Sequence, residues 1–187
     1  MRHKGTSLAA LSILGGMTVV TISACSSAPT WKDHSSKEGN YSVSMPGTPE
    51  KETKSFPLGN GKNLDLEGVQ LKVKDEEYVV AFVDFPSEVQ VPAEQSKLIL
   101  ATMIKGLGNQ LQGGKISQEE ELQISGFPCR AFRATGKEKS KEVNLAGRIC
   151  LADQRMYQIL AKSDKTSKTF DTNSKKFLTS FKITDQS

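Results

Sequence analysis

The pattern of apolar and polar positions divides the chain into elements without help from any motif. Tyr41-Ser42-Val43-Ser44-Met45 alternates strictly and reads as a strand ended by Pro46-Gly47. Lys51–Phe56 is the expected hairpin partner of that strand, and Leu58-Gly59-Asn60-Gly61 is a loop rich in turn residues. From Leu64 the alternation resumes with Leu64 and Leu66. It then continues one position out of phase with Val69, Leu71 and Val73. Gly68 sits at the slip, where a β-bulge is expected. Tyr78–Phe85 is almost wholly apolar and rich in β-branched and aromatic residues, the pattern of an interior strand covered on both faces.

After Pro86 the period changes. Pro92-Ala93-Glu94 suits a first helical turn, and Leu100, Ile104, Leu107 and Leu111 recur at helical spacing, predicting an amphipathic helix over 92–112 that stops at Gly113-Gly114. Strand periodicity then returns. Ile116, Leu122 and Ile124 share one parity over Lys115–Ser125, followed by Cys129–Thr135, Val143–Leu151 and Arg155–Lys162, all separated by short turns. A last amphipathic helix carries Phe170, Phe177 and Leu178, and the chain closes on Phe181-Lys182-Ile183. Strands, helix, strands, helix: this order predicts an α+β domain, a central antiparallel sheet flanked by helices.

The first 25 residues follow another logic. Arg2, His3 and Lys4 precede an apolar run from Leu8 to Ile22, which is too short and too diluted by Gly15-Gly16, Ser12, Thr18 and Thr21 to span a bilayer. A basic start, a short apolar stretch and small residues before a cut describe an export signal. Ile22-Ser23-Ala24-Cys25 resembles the bacterial lipobox. Carried over residue by residue, Ala24 precedes the cut and Cys25 becomes the acylated first residue of the mature chain. The resulting organisation is a signal peptide at 1–24, a lipidated tether at 25–30 and a single domain at 31–187. Stable attachment takes two or more acyl chains, which lipoproteins of this type resemble one another in carrying. The expected location is the cell envelope. Ser26 after the cysteine favours the periplasmic face of the outer membrane over the inner membrane in a Gram-negative cell.

Charge and chemistry narrow the function further. Removing residues 1–24 takes out Arg2 and Lys4 and no carboxylate, so the formal net charge falls from +4 to +2. Lysine and glutamate are interspersed, and no basic stripe is interleaved with aromatics, which argues against a nucleic-acid partner. With Cys25 assigned to lipid, Cys129 and Cys150 remain. An even pair in an exported chain reads as a disulfide, and the alternative is two buried thiols. If Cys129–Thr135 and Val143–Leu151 form a hairpin around Lys139, paired residue numbers sum to about 279, which sets the two cysteines opposite each other.

The only histidine of the mature chain, His34, stands near the N-terminus beside Asp33 and reads as a surface residue rather than a catalytic base. Asp75-Glu76-Glu77 and Glu119-Glu120-Glu121 read as solvated turn and edge, not as cation sites. Gly59-Asn60-Gly61-Lys62 and Gly106-Leu107-Gly108 lack the context of phosphate-binding loops. No catalytic residue, metal ligand or cofactor is assigned. The expected partners are membrane lipid, through acylated Cys25, and an envelope protein. The alternative is an envelope hydrolase using acids such as Asp84 or Glu88.

A family resemblance points the same way. Tyr41–Gly47, Gly126-Phe127-Pro128-Cys129-Arg130-Ala131-Phe132, Gly147-Arg148-Ile149-Cys150-Leu151, Arg155-Met156-Tyr157-Gln158-Ile159 and Phe177–Ile183 together resemble bacterial lipoproteins with PsbP/Mog-like domains. The resemblance spans Trp31 to Ile183 and implies an α-β-α sandwich. Members of that fold work by binding or assembly: a photosystem extrinsic subunit, a small-GTPase binder, mycobacterial lipoproteins. The matched positions are structural, so no active site is carried over.

Overall fold

The computed structural model describes residues 29–57, 63–86 and 92–184. Ala24, Cys25, Gly59-Asn60-Gly61 and Glu88 lie outside these residues. Ten strands and two helices follow in the order β1 (Lys32–Ser36), β2 (Tyr41–Met45), β3 (Glu50–Pro57), β4 (Asn63–Val73), β5 (Glu76–Asp84), α1 (Ser96–Asn109), β6 (Gln112–Ile124), β7 (Phe127–Glu138), β8 (Lys141–Ala152), β9 (Arg155–Asp164), α2 (Phe170–Ser180) and β10 (Lys182–Ile183). A 3-10 turn, Ala93–Gln95, leads into α1. The fold is a sheet-dominated α+β fold.

The expected single sheet is two. Strands β3-β4-β5-β9-β8-β7-β6 form a seven-stranded antiparallel sheet, and β1-β2-β10 form a separate three-stranded one. Lys51–Phe56 therefore does not pair with Tyr41–Met45. It lies in β3, which pairs with β4, whereas β2 pairs with β1 and β10. The strand at Lys32–Ser36 carries no apolar alternation, since its sequence is Lys-Asp-His-Ser-Ser, and only its pairing with β2 makes it a strand.

The phase slip at Gly68 has a different cause from a bulge. The β3–β4 and β4–β5 ladders run through Gly68 without a register shift. Instead β4 changes sides. Leu64 and Leu66 pack on the cluster around Leu100 and Ile104 of α1, while Val69 and Leu71 pack on the cluster around Phe177 and Leu178 of α2. A strand shared by two cores shows apolar residues of one parity in its first half and the other in its second. The bulge falls in β6. Ile116 pairs with Ala134 and Gln118 with Arg133, leaving Ser117 as an extra residue. Ile116 therefore faces the α1 cluster, although Leu122 and Ile124, of the same parity, face the α2 cluster.

The same division runs through β9. Tyr157, Ile159 and Ala161 belong to the α2 cluster, and Met156 and Leu160 to the α1 cluster. The α2 side is also covered by the small sheet, through Tyr41, Val43 and Met45. Tyr78–Phe85 is interior, since β5 lies between β4 and β9 and its buried residues serve both clusters. The helix expected over 92–112 is shorter: α1 ends at Asn109, and Leu111 is buried beyond it in a turn whose N–H bonds Gly108 O at 3.1 Å.

Candidate functional site

The two sheets leave a cleft between the β1–β2 hairpin and the β3–β4 half of the large sheet. Its volume is about 440 Å³. One wall is His34 to Glu38, the other is Lys51, Glu52 and Thr53 of β3, and Val69 and Phe82 supply an apolar floor. Among the described residues the edge strand β3 pairs only with β4, and its residues are exposed except the half-buried Glu52. Its outer edge is unpaired among the described residues.

The hairpin lip is held firmly. Arg155 at the start of β9 grips Asp84 at the end of β5 through Nε at 2.5 Å and a second nitrogen at 2.6 Å. Its remaining nitrogen donates to the carbonyl of Glu38 at 2.8 Å, and the guanidinium lies 4.6 Å from the centre of the Phe82 ring. Tyr157 donates its hydroxyl to the carbonyl of Gly39 at 2.8 Å, and the Gly39 N–H is satisfied by Ser36 Oγ at 2.9 Å. Two consecutive carbonyls of the turn are thus tied to the large sheet. Bidentate pairing with Asp84 raises the pKa of Arg155, outweighing its burial. The Lys51–Glu38 pair across the mouth, at 3.2 Å, joins two exposed side chains and contributes little.

Behind the lip stands Tyr41, fully buried among Phe82, Tyr157 and Phe181. Burial pushes its phenol up to about 12, opposed by Ser36 beside it, and its hydroxyl has no well-formed hydrogen bond among the described residues. Burial also lowers the pKa of His34, which is therefore neutral at pH 7. Ser36 is engaged by the turn and is not paired with His34. The cleft offers shape, an apolar floor and a rim of mixed charge, the features of a recognition surface.

Other residues singled out in the sequence are used elsewhere. Asp84 is committed to Arg155. Glu121 pairs with Lys97 at 2.8 Å, Glu119 with Arg130 at 3.4 Å, and Glu77 with Lys162 at 3.0 Å. Gly106 and Gly108 lie within α1. In the β7–β8 ladder paired numbers sum to 279, so Cys129 faces Cys150 directly, and the two form a disulfide with a Cα separation of 4.0 Å. Its strands are not among those that form the cleft.

Glu76 departs from the solvated-turn reading. It is buried, and its carboxylate accepts hydrogen bonds from the Tyr78 hydroxyl, Ser167 at 2.9 Å, Thr169 at 2.7 Å and Asn173 at 2.9 Å. Burial raises its pKa, but the four donors outweigh that and leave the carboxyl below its ordinary value. The signal was parity: Glu76 falls in step with Tyr78, Val80 and Phe82, on the face that packs under α2. Arg155 gave no such signal, because its partners Asp84 and Glu38 come from distant elements.

No family model matches the chain, and no curated protein matches it in sequence. Solved structures do resemble it. The solution structure of cyanobacterial PsbP from Synechocystis sp. PCC 6803 matches with a TM-score of 0.54 at 11% identity, covering 92% of this chain and 98% of that one. LpqN of Mycobacterium tuberculosis, described as involved in cell envelope biogenesis, gives 0.48 at 13% identity over 75% and 87%. A protein of unknown function from Pseudomonas aeruginosa, described as a putative regulator, gives 0.41 at 10% identity over 72% and 83%. The first of these likenesses establishes a PsbP-like fold, and a shared fold does not carry a shared function. Among the described residues no helix is long and apolar enough to cross a membrane.

Proposed function

We propose that this chain is a lipid-anchored module of the cell envelope that acts by binding a partner protein in the cleft between its sheets. The observation that carries the binding part is the pairing of a fixed lip with an open edge. The 37–40 turn is tied to the large sheet by Arg155 and Tyr157, and Lys51, Glu52 and Thr53 of the edge strand β3 form the facing wall of the cleft. An extended segment can add to such an edge as a further strand, its main chain supplying affinity and the cleft reading its side chains. The anchor rests on Ile22-Ser23-Ala24-Cys25, with Ser26 favouring the outer membrane. The finer architectural reading, an α-β-α sandwich with α1 and α2 flanking the sheet, belongs with this proposal. A hydrolase is not favoured, because Asp84, the acid nearest the sheet end, is committed to Arg155.

Two measurements test it. Intact mass of the mature protein is expected to show a chain beginning at Cys25 and carrying diacylglyceryl, and Cys25→Ala to give a precursor that is not lipidated. A photo-crosslinking side chain at Thr53, on β3, is expected to trap a discrete envelope protein, while the same probe at Lys105 on α1 traps none. Equal, diffuse labelling from both positions overturns the cleft as the binding site.

A further inference from the structure

The seven-stranded sheet has two unlike ends. At one end lie the β4–β5 turn, the β7–β8 turn and the β9–α2 connection. Each carries exposed lysine: Lys74 in the first, Lys139 in the second, and Lys165 and Lys168 in the third. Lys72 and Lys141 are exposed on the adjoining strand ends. Carboxylates offset part of this charge: Glu142 pairs with Lys165 at 2.7 Å, Asp164 with Lys141 at 3.8 Å, Glu77 and Glu138 with Lys162 at 3.0 and 2.9 Å, and Asp75 is exposed in the β4–β5 turn. Lys72, Lys139 and Lys168 have no carboxylate within 4.0 Å among the described residues. Of the described turns at the opposite end, Ser125-Gly126 and Asp153-Gln154 carry no lysine, and the β1–β2 turn sets Glu38 beside Lys37.

The chain joins the fold at the lysine end. Trp31, just before β1, packs edge-on against Tyr78 at 6.1 Å, and Lys176 lies 4.5 Å from the centre of its ring. Tyr78 is two residues from Glu76, where β5 starts beside the lysine-bearing turn. Between Cys25 and Trp31 there are five residues. Fully extended, that stretch reaches about 20 Å.

We infer that the lysine-bearing end lies against the anionic phospholipid headgroups of the membrane to which the chain is anchored, with the opposite end pointing away. The inference rests on the lipid-anchor reading of Cys25. Two observations on different parts of the molecule meet in it: where the charge is, and where the chain leaves the fold towards its anchor. Attraction of lysine to an anionic surface falls off within a Debye length, about 10 Å at 0.1 M salt. A tether of about 20 Å confines the lysine end to within about two such lengths of the surface, where a longer one would let it drift much farther. The orientation turns the 37–40 lip outward, where a partner can reach it.

The test is amine footprinting of the lipidated protein reconstituted into vesicles, with labelling of each lysine read by mass spectrometry. On vesicles of phosphatidylcholine with one-third phosphatidylglycerol, Lys72, Lys139 and Lys168 are expected to label about fivefold more slowly than on pure phosphatidylcholine. High salt is expected to restore the rate, and Lys37 and Lys105 are expected to be unaffected. Lys139→Glu with Lys168→Glu is expected to abolish the protection of Lys72, with folding verified by far-UV circular dichroism. Protein that floats with the vesicles yet labels equally on both compositions overturns the orientation and leaves the anchor standing. Equal protection on neutral and anionic vesicles overturns it too, because the contact is then not electrostatic. Protein that neither floats nor carries lipid mass overturns the anchor itself, and the orientation with it.

Discussion

Glu76 shows how one side chain fixes the junction of a strand and a helix. Its carboxylate gathers Tyr78 from β5 together with Ser167 and Thr169 of the β9–α2 connection and Asn173 of α2. Charged hydrogen bonds of this kind contribute roughly 1.5–3 kcal/mol each when a partner is removed singly, and they do not add in full. Glu76→Ala strands four donors, the fully buried Tyr78 hydroxyl among them, and is expected to cost about 3 kcal/mol in chemical unfolding at pH 7. The pH dependence has a definite sign. The folded pKa lies below the ordinary value of 4.5, so the stabilisation is complete above that value and is lost as pH falls through the folded pKa. Relative to Glu76→Gln, the wild type is expected to keep a constant stability difference well above 4.5 and to lose it progressively as pH falls below that value. Urea midpoints across that range measure it.

The disulfide is the other residue-scale constraint. Cys129 and Cys150 are 21 apart in sequence, and the bond closes a hairpin that already exists as a ladder. Constraint of the unfolded chain by a loop of this length contributes roughly 3 kcal/mol. Cys129→Ala with Cys150→Ala is expected to lose most of that while keeping the fold. Thiol titration of the oxidised, unfolded protein is expected to find no free thiol from this pair.

At the scale of elements, two glycines in unlike settings give opposite predictions. A Cβ on Gly68 would stand 2.1 Å from Val80 O and 2.7 Å from the Cα of Ala81, both backbone atoms of the paired strand. Gly68→Ala must push β4 away from β5 and is expected to destabilise by about 1–3 kcal/mol. A Cβ on Gly106, within α1, meets nothing within 4 Å. Gly106→Ala is expected to stabilise by about 0.5–1 kcal/mol, because alanine has less backbone freedom to lose in a helix. Thermal melts of the two variants should move in opposite directions.

These elements also mark what the sequence could say. Period and turn residues locate β2, β5, β7, β8 and β9 within a few residues, because each is short, strongly patterned and bounded by turns. They misassign Gly68 and Ser117 for one shared reason. Parity reports which residues lie on the same side of a strand only while one side is buried and the ladder is regular. In β4 both sides are buried, in different halves, and in β6 the ladder slips by one residue at Ser117. The cleft was illegible for another reason. Its lip depends on Arg155, Tyr157 and Asp84 meeting Glu38 and Gly39 from more than 40 residues away. No local pattern encodes such a meeting.

Across the whole molecule, the two apolar clusters share the seven-stranded sheet as a common wall. Removing side chains from either is therefore expected to shift one cooperative transition rather than split it. Ile104→Ala, in the α1 cluster, is expected to cost about 2–5 kcal/mol, and Phe177→Ala, in the α2 cluster, about 3–5 kcal/mol. Each should lower a single midpoint that is the same by far-UV circular dichroism and by Trp31 fluorescence. Non-coincident curves in either variant would mean that the two sides unfold independently.

The small sheet carries a consequence for the order of assembly. Its central strand β2, near the start of the domain, is flanked by β10, almost the last piece of chain, with Ile183 paired to Tyr41 and the Thr184 N–H bonded to Asn40 O at 2.9 Å. Synthesis from the N-terminus makes β2 before its neighbour β10. Until residue 183 emerges, one side of β2 has an open row of hydrogen-bonding groups, and Tyr41 lacks Phe181 beside it. Completion of this sheet is thus a signal, written in the topology, that the whole domain has arrived. A chain cut short before Phe181 would be left with an unpaired side of β2 and an unfilled aromatic cluster.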